Sequence, residues 1–98
     1  MDSITYLWQE QSRQSWWRIQ TRDLKVITKL NRRKNVTLCG WGINDPIRIY
    51  KIQFKSTRNA RKSLARLTGQ KVYKSVSDDL YYSKSIPIPP NSEGGETA

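Results

Sequence analysis

The sequence predicts an α+β domain whose elements run in the order β-α-β-β-α-β. Three observations carry that expectation. Apolar residues recur at helical spacing in two stretches, Leu24 to Leu30 and Ala60 to Leu67. Aromatic and β-branched residues cluster in four short runs, and Asp, Ser, Asn, Gly and Pro punctuate the boundaries between them. At 98 residues the chain is the size of one domain, and its 36% hydrophobic fraction, with four Trp, five Tyr and one Phe, suffices for a small core.

Each element has its own local reason. Trp16-Trp17-Arg18-Ile19-Gln20-Thr21 is aromatic and β-branched and reads as a strand. Asp23 caps a helix expected to reach about Lys34, with Leu24, Ile27 and Leu30 on one face and Asn35 as a left-handed stop. Val36 to Trp41 reads as a second strand, and Gly42-Ile43-Asn44-Asp45-Pro46 as the turn into a third, Ile47 to Lys55. Ser56 or Thr57 then caps a second helix whose Ala60, Leu64 and Leu67 fall at i, i+4 and i+7, and Gly69 ends it. Val72 to Val76 supplies a fourth strand, Asp78-Asp79 a turn, and Leu80-Tyr81-Tyr82 either continues the sheet or packs across it. This order is that of the ferredoxin-like arrangement: a four-stranded antiparallel sheet with two helices on one face and the other face left open.

The α+β domain is placed at residues 15–82. Residues 1–14 are ambiguous, because Ile4, Tyr6 and Trp8 alternate as in a strand while Tyr6 to Gln11 equally suits the start of a helix. Residues 83–98 are expected to form a Pro- and Gly-rich tail, disordered over its last eight positions.

Charge narrows the function classes. The chain carries 18 basic and 8 acidic residues, for a net +10. Between residues 11 and 76 the only carboxylates are Asp23 and Asp45, and the rest lie toward the ends. A polyanion is therefore the expected partner. The lone Cys39 cannot form an internal disulfide, which suits a reducing, cytoplasmic setting. No apolar run approaches the length of a membrane span, and the acidic start is unlike a signal peptide, so no membrane association is expected. One Cys and no His cannot assemble the four Cys or His ligands of a structural zinc site, and no cofactor motif is present. Without His, and with two widely separated carboxylates in the basic body, the chain is poorly equipped for acid–base catalysis, so it is read as a non-enzyme.

The candidate binding residues fall in three groups. On the second helix Arg58, Arg61, Lys62 and Arg66 are expected to face outward, with no acid between Gln53 and Val76 to offset them. Arg32, Arg33 and Lys34 close the first helix. One cation there would satisfy the helix dipole, worth about 0.3–1 kcal/mol, so the surplus is free for phosphates. On the sheet, Trp17 and Ile19 are expected to face the helices, which leaves Trp16 and Arg18 beside Lys51 on the open face, a mixed aromatic and basic surface suited to stacking on bases. The competing readings are a solvated basic face and a Trp16 covered by protein, since burying a Trp is worth roughly 4–6 kcal/mol.

The alternation in Arg48-Ile49-Tyr50-Lys51-Ile52-Gln53-Phe54 resembles the third-strand signature of RNA-recognition motifs, but Lys51, Ile52 and Gln53 stand where that family places small residues. Ala60 to Gln70 faintly resembles the first half of a helix-turn-helix, but Val72 to Val76 alternates as a strand where the recognition helix would follow. Neither likeness assigns a family. The expected function is nucleic-acid binding, DNA or RNA, through a basic helix surface. The alternative is a non-enzymatic interaction module, a homodimer or an accessory subunit (as viruses and mobile elements encode) that docks on an acidic protein.

Overall fold

A computed structural model describes residues 3–10, 15–76 and 80–85. Six strands and two helices follow in the order β1 (Ser3–Gln9), β2 (Trp16–Thr21), α1 (Leu24–Asn31), β3 (Val36–Gly42), β4 (Asp45–Gln53), α2 (Thr57–Thr68), β5 (Val72–Lys74) and β6 (Leu80–Ser85). The strands form one sheet in the order β3-β4-β2-β1-β6-β5, and every neighbouring pair is antiparallel.

This corrects the expected four-stranded ferredoxin-like sheet. Strands β2, β3, β4 and β5 do occur in the anticipated chain order, but β1 and β6 pair with each other and lie between β2 and β5. The physical reason lies in the inward positions of the two added strands, which are partly polar. Thr5 and Thr21 are buried and share a hydroxyl hydrogen bond of 2.9 Å across β1 and β2. Buried Ser83 on β6 bonds the Thr68 hydroxyl at 2.7 Å and donates to the Lys71 carbonyl at 2.9 Å. Satisfied in pairs, these hydroxyls avoid the cost of burying an unpartnered polar group, and they remove the apolar pattern from the inward face of the two strands. The expected Asp78-Asp79 turn and the last eight positions of the tail lie outside the described residues, whereas residues 83–85, expected in the tail, belong to β6.

Both helices cover one face. Leu7, Trp17, Ile19, Tyr50 and Ile52 from the sheet pack against Val26 and Leu30 of α1 and Ala60, Leu64 and Leu67 of α2. Tyr50 donates its hydroxyl to Asn31 Oδ1 at 2.9 Å, and burial pushes its pKa upward. The short helix α1 departs from expectation. Asp23 caps it as anticipated, accepting from the Lys25 N–H at 2.9 Å, but Val26 and Leu30 are its buried residues and Leu24 is 71% exposed. A spacing of four stays in line with the 3.6-residue turn, whereas two successive steps of three from residue 30 drift off the buried stripe. The helix ends at Asn31, with Arg32 as its right-handed C-cap, so Asn35 is not a left-handed stop. The turn between β3 and β4 narrows to Ile43 and Asn44, and Asn44 takes the positive φ of 59° that an Asn tolerates.

Candidate functional site

Helix α2 is fixed at both ends by its own sequence. Ser56, extended at φ −155°, accepts from the Asn59 N–H at 3.1 Å, and Gly69, left-handed at φ 69°, donates its N–H to the Ala65 carbonyl at 2.8 Å. With Ala60, Leu64 and Leu67 buried, a rotation of 100° per residue turns Arg58, Lys62 and Ala65 outward and sets Arg61 on the flank toward the sheet. Beside β5 the helix borders a groove of about 790 Å³, lined by Thr57, Arg58, Arg61, Lys62 and Ala65 from α2 and by Lys71 and Val72 from the start of β5. Four cations line it, and among the described residues no carboxylate does.

Two of those cations are held by aromatic rings. The Arg61 guanidinium lies 5.2 Å from the centroid of Tyr81, and Lys71 Nζ lies 5.5 Å from that of Tyr73. Such contacts orient a cation without neutralising it. The described carboxylates are engaged elsewhere. Asp23 caps α1, Asp45 pairs with Arg22 at 2.9 Å and accepts from the Ile47 N–H, and Glu10 serves the open face of the sheet. Among the described residues, no ion pair involves Arg58, Arg61, Lys62 or Lys71.

The other expected cations are distributed differently. Arg66 lies outside the groove, on the flank of α2 that faces α1. There Lys29 Nζ donates to the carbonyls of Leu67 at 3.1 Å and Arg66 at 3.3 Å, capping the negative end of α2. Arg33 donates to Ser63 Oγ at 2.9 Å and so ties the end of α1 to α2. Because α1 stops early, Arg32 is the C-cap and Arg33 and Lys34 follow it in the connection to β3, where Arg32 and Lys34 are exposed. The basic residue in the last turn of α1 is Lys29.

Arg18, Lys51 and Trp16 do share the open face, as the alternation on β2 and β4 requires. Arg18 Nε donates to Glu10 Oε1 at 2.6 Å, and Lys51 Nζ lies 3.7 Å from the same oxygen and 4.9 Å above the Trp16 ring. The Arg18 hydrogen bond, aided by the charges of Arg18 and Lys51, holds the Glu10 carboxyl below the usual carboxylate range. The same bond raises the Arg18 pKa. One of the two positive charges on this part of the face is therefore offset by a residue the sequence groups with the acidic ends. Trp16 stays 36% exposed.

Sequence reasoning missed two parts of the site. Lys71 carries no signal in the sequence because it stands alone in the connection before β5, and only the packing of α2 beside β5 brings it to the other cations. An aromatic set on the open face was also missed: Tyr6 and Trp8 on β1, Tyr82 on β6 and Tyr73 on β5, with Tyr6 opposite Tyr82 and Tyr82 opposite Tyr73. The alternation of Tyr6 and Trp8 was a visible signal, but the neighbours of β1 were not. Among the described residues, no cluster of three His, Cys, Asp or Glu could hold a metal, and no helix is long and apolar enough to cross a membrane. No protein-family model matches the chain, and no curated protein or solved structure shows significant similarity to it.

Proposed function

We propose that this protein binds nucleic acid, with Arg58, Arg61, Lys62 and Lys71 contacting phosphates in the groove between α2 and β5. The observation that carries the reading is the meeting of four cations, three from α2 and one from the connection into β5, in a concavity lined by no carboxylate among the described residues. Mutual repulsion among these side chains is relieved when an anion enters, and a chain of phosphates supplies anions at a spacing several cations can share. Arg33 and Arg66 flank the far side of α2 and would extend the footprint, with Arg32 and Lys34 at its margin. Such contacts position a backbone and do not read base sequence. The role is binding rather than catalysis, in keeping with a chain that has no His and with the structural engagement of Glu10, Asp23 and Asp45. A cytoplasmic setting fits the exposed, unpaired Cys39.

Titration with DNA and RNA at two salt concentrations tests this reading. Binding is expected at roughly 10⁻⁴–10⁻⁶ M and should weaken steeply as salt rises. Absence of binding, or an affinity indifferent to salt, would refute it. One observation favours a protein partner instead. At the β3–β4 hairpin Trp41 is 66% and Ile43 88% exposed, an apolar tip that a second copy or another protein could cover. Light scattering decides that alternative: a stable dimer that shields Trp41 and binds no nucleic acid would replace the first reading.

A further inference from the structure

Lys71 belongs to two surfaces at once. It lines the cationic groove, and its ammonium lies over the ring of Tyr73, which is 45% exposed on the edge strand β5. Tyr73 in turn stacks on Tyr82, with centroids 5.6 Å apart and planes 25° from parallel. Tyr82 stands opposite Tyr6, and Tyr6, Trp8, Gln20 and Leu80 line a second concavity of about 500 Å³ on the open face. A continuous path therefore runs from the phosphate-sized charges of α2, around the β5 edge, onto a row of aromatic rings.

We infer that the ligand is an unpaired nucleic-acid strand, its phosphates in the α2–β5 groove and its bases stacked on Tyr73 and on toward Tyr82 and Tyr6. The inference rests on the phosphate-binding reading of the groove and specifies it. A duplex keeps its bases stacked on one another and offers its backbone alone to such a surface. A single strand presents free π-faces, and these gain from stacking on aromatic side chains. With Arg18 and Lys51 sharing the Glu10 carboxylate, Lys71 is the groove cation that meets a ring of the open face.

The test uses the full chain with three probes matched in phosphate number: a labelled oligothymidylate, the corresponding A·T duplex, and inorganic polyphosphate as competitor. The single strand is expected to bind about tenfold tighter than the duplex. Tyr73→Leu/Tyr82→Leu should lose roughly five- to 150-fold per stacked base on the single strand while polyphosphate competes unchanged. Tyr73→Phe/Tyr82→Phe, which keeps both rings, should retain the preference, and the single edge substitution Tyr73→Ser provides a milder variant should the double one fail to fold. Equal affinity for strand and duplex, untouched by these substitutions, would overturn this inference and leave phosphate binding standing. Failure of all three probes to bind would overturn both. A dimer that Tyr73→Ser converts to monomer would assign the rings to a second copy and overturn the inference as well.

Discussion

On the open face of the sheet, Arg18 and Lys51 converge on one Glu10 oxygen, at 2.6 and 3.7 Å. Across the domain, Arg58, Arg61, Lys62 and Lys71 line a groove with no carboxylate among the described residues. Both clusters look alike as a composition, basic residues beside aromatic ones. They differ in whether the chain supplies its own anion. Where a carboxylate sits among the cations, the charge stabilises the fold's surface and little is left for a ligand. Where none does, the cations are held by packing and by rings, and their field extends into solvent. A net charge of +10 does not distinguish the two cases.

Loosening the helix that builds the groove is the severest way to separate the two regions. Leu64→Ala removes a fully buried side chain of α2 and should cost about 2–5 kcal/mol in urea unfolding. Hydrogen exchange should rise first in α2 and leave the β1–β2 pairing beside Glu10 protected. Equal loss on both faces would mean the groove and the sheet open as one unit.

Neutralising the groove comes next. With four phosphates engaged, single-strand affinity should fall roughly fiftyfold between about 50 and 200 mM salt, and Arg58→Gln/Arg61→Gln/Lys62→Gln/Lys71→Gln should abolish most of that dependence. Arg18→Gln/Lys51→Gln should leave it in place. Anisotropy titrations in which the two variants behave alike would erase the contrast.

A smaller effect attaches to the start of α2. Ser56→Ala removes the acceptor for the Asn59 N–H and should lower stability by about 1 kcal/mol in thermal or chemical unfolding. Affinity should weaken slightly through fraying of the turn that carries Arg58. An unchanged midpoint would show that packing alone sets that end.

The smallest change converts one region toward the other. Glu10→Gln frees Arg18 and Lys51, so anion affinity should rise a few-fold and become more salt-sensitive. Protonation does the same. The folded-state pKa of Glu10 lies below its ordinary 4.5, so its contribution to stability is present above that value and lost as pH falls through the lower one. Because these groups are partly solvated, the loss should be slight. An NMR titration of the Glu10 carboxyl checks the direction: a midpoint at or above 4.5 would mean the pair does not form in solution.

Much of the fold was legible because its signals are local. Asp23, Ser56 and Gly69 act within a few residues of themselves, and the stripe of Ala60, Leu64 and Leu67 follows from the pitch of a helix. The β-strand pattern of Trp17 and Ile19 likewise follows from the pleat. Leu24 misled because it continues an apolar pattern at a position where α1 has already turned away from the core. Placement of β1 and β6 was illegible, since Thr5 bonds Thr21 and Ser83 bonds Thr68 and the Lys71 carbonyl, polar pairings that break the apolar code marking an inward face.

By itself the amino-acid order determined the two helices and strands β2 to β5, where α2 starts and stops, and that Arg58, Arg61 and Lys62 share a helix without an acid near them in the chain. Only the tertiary structure decided how six strands are ordered, that Lys71 joins those three while Arg66 does not, and that Glu10 offsets part of the charge of Arg18 and Lys51. Helix periodicity and capping act over one or two turns. Strand partners and charge compensation depend on groups far apart in the chain, whose distances are set when the sheet closes.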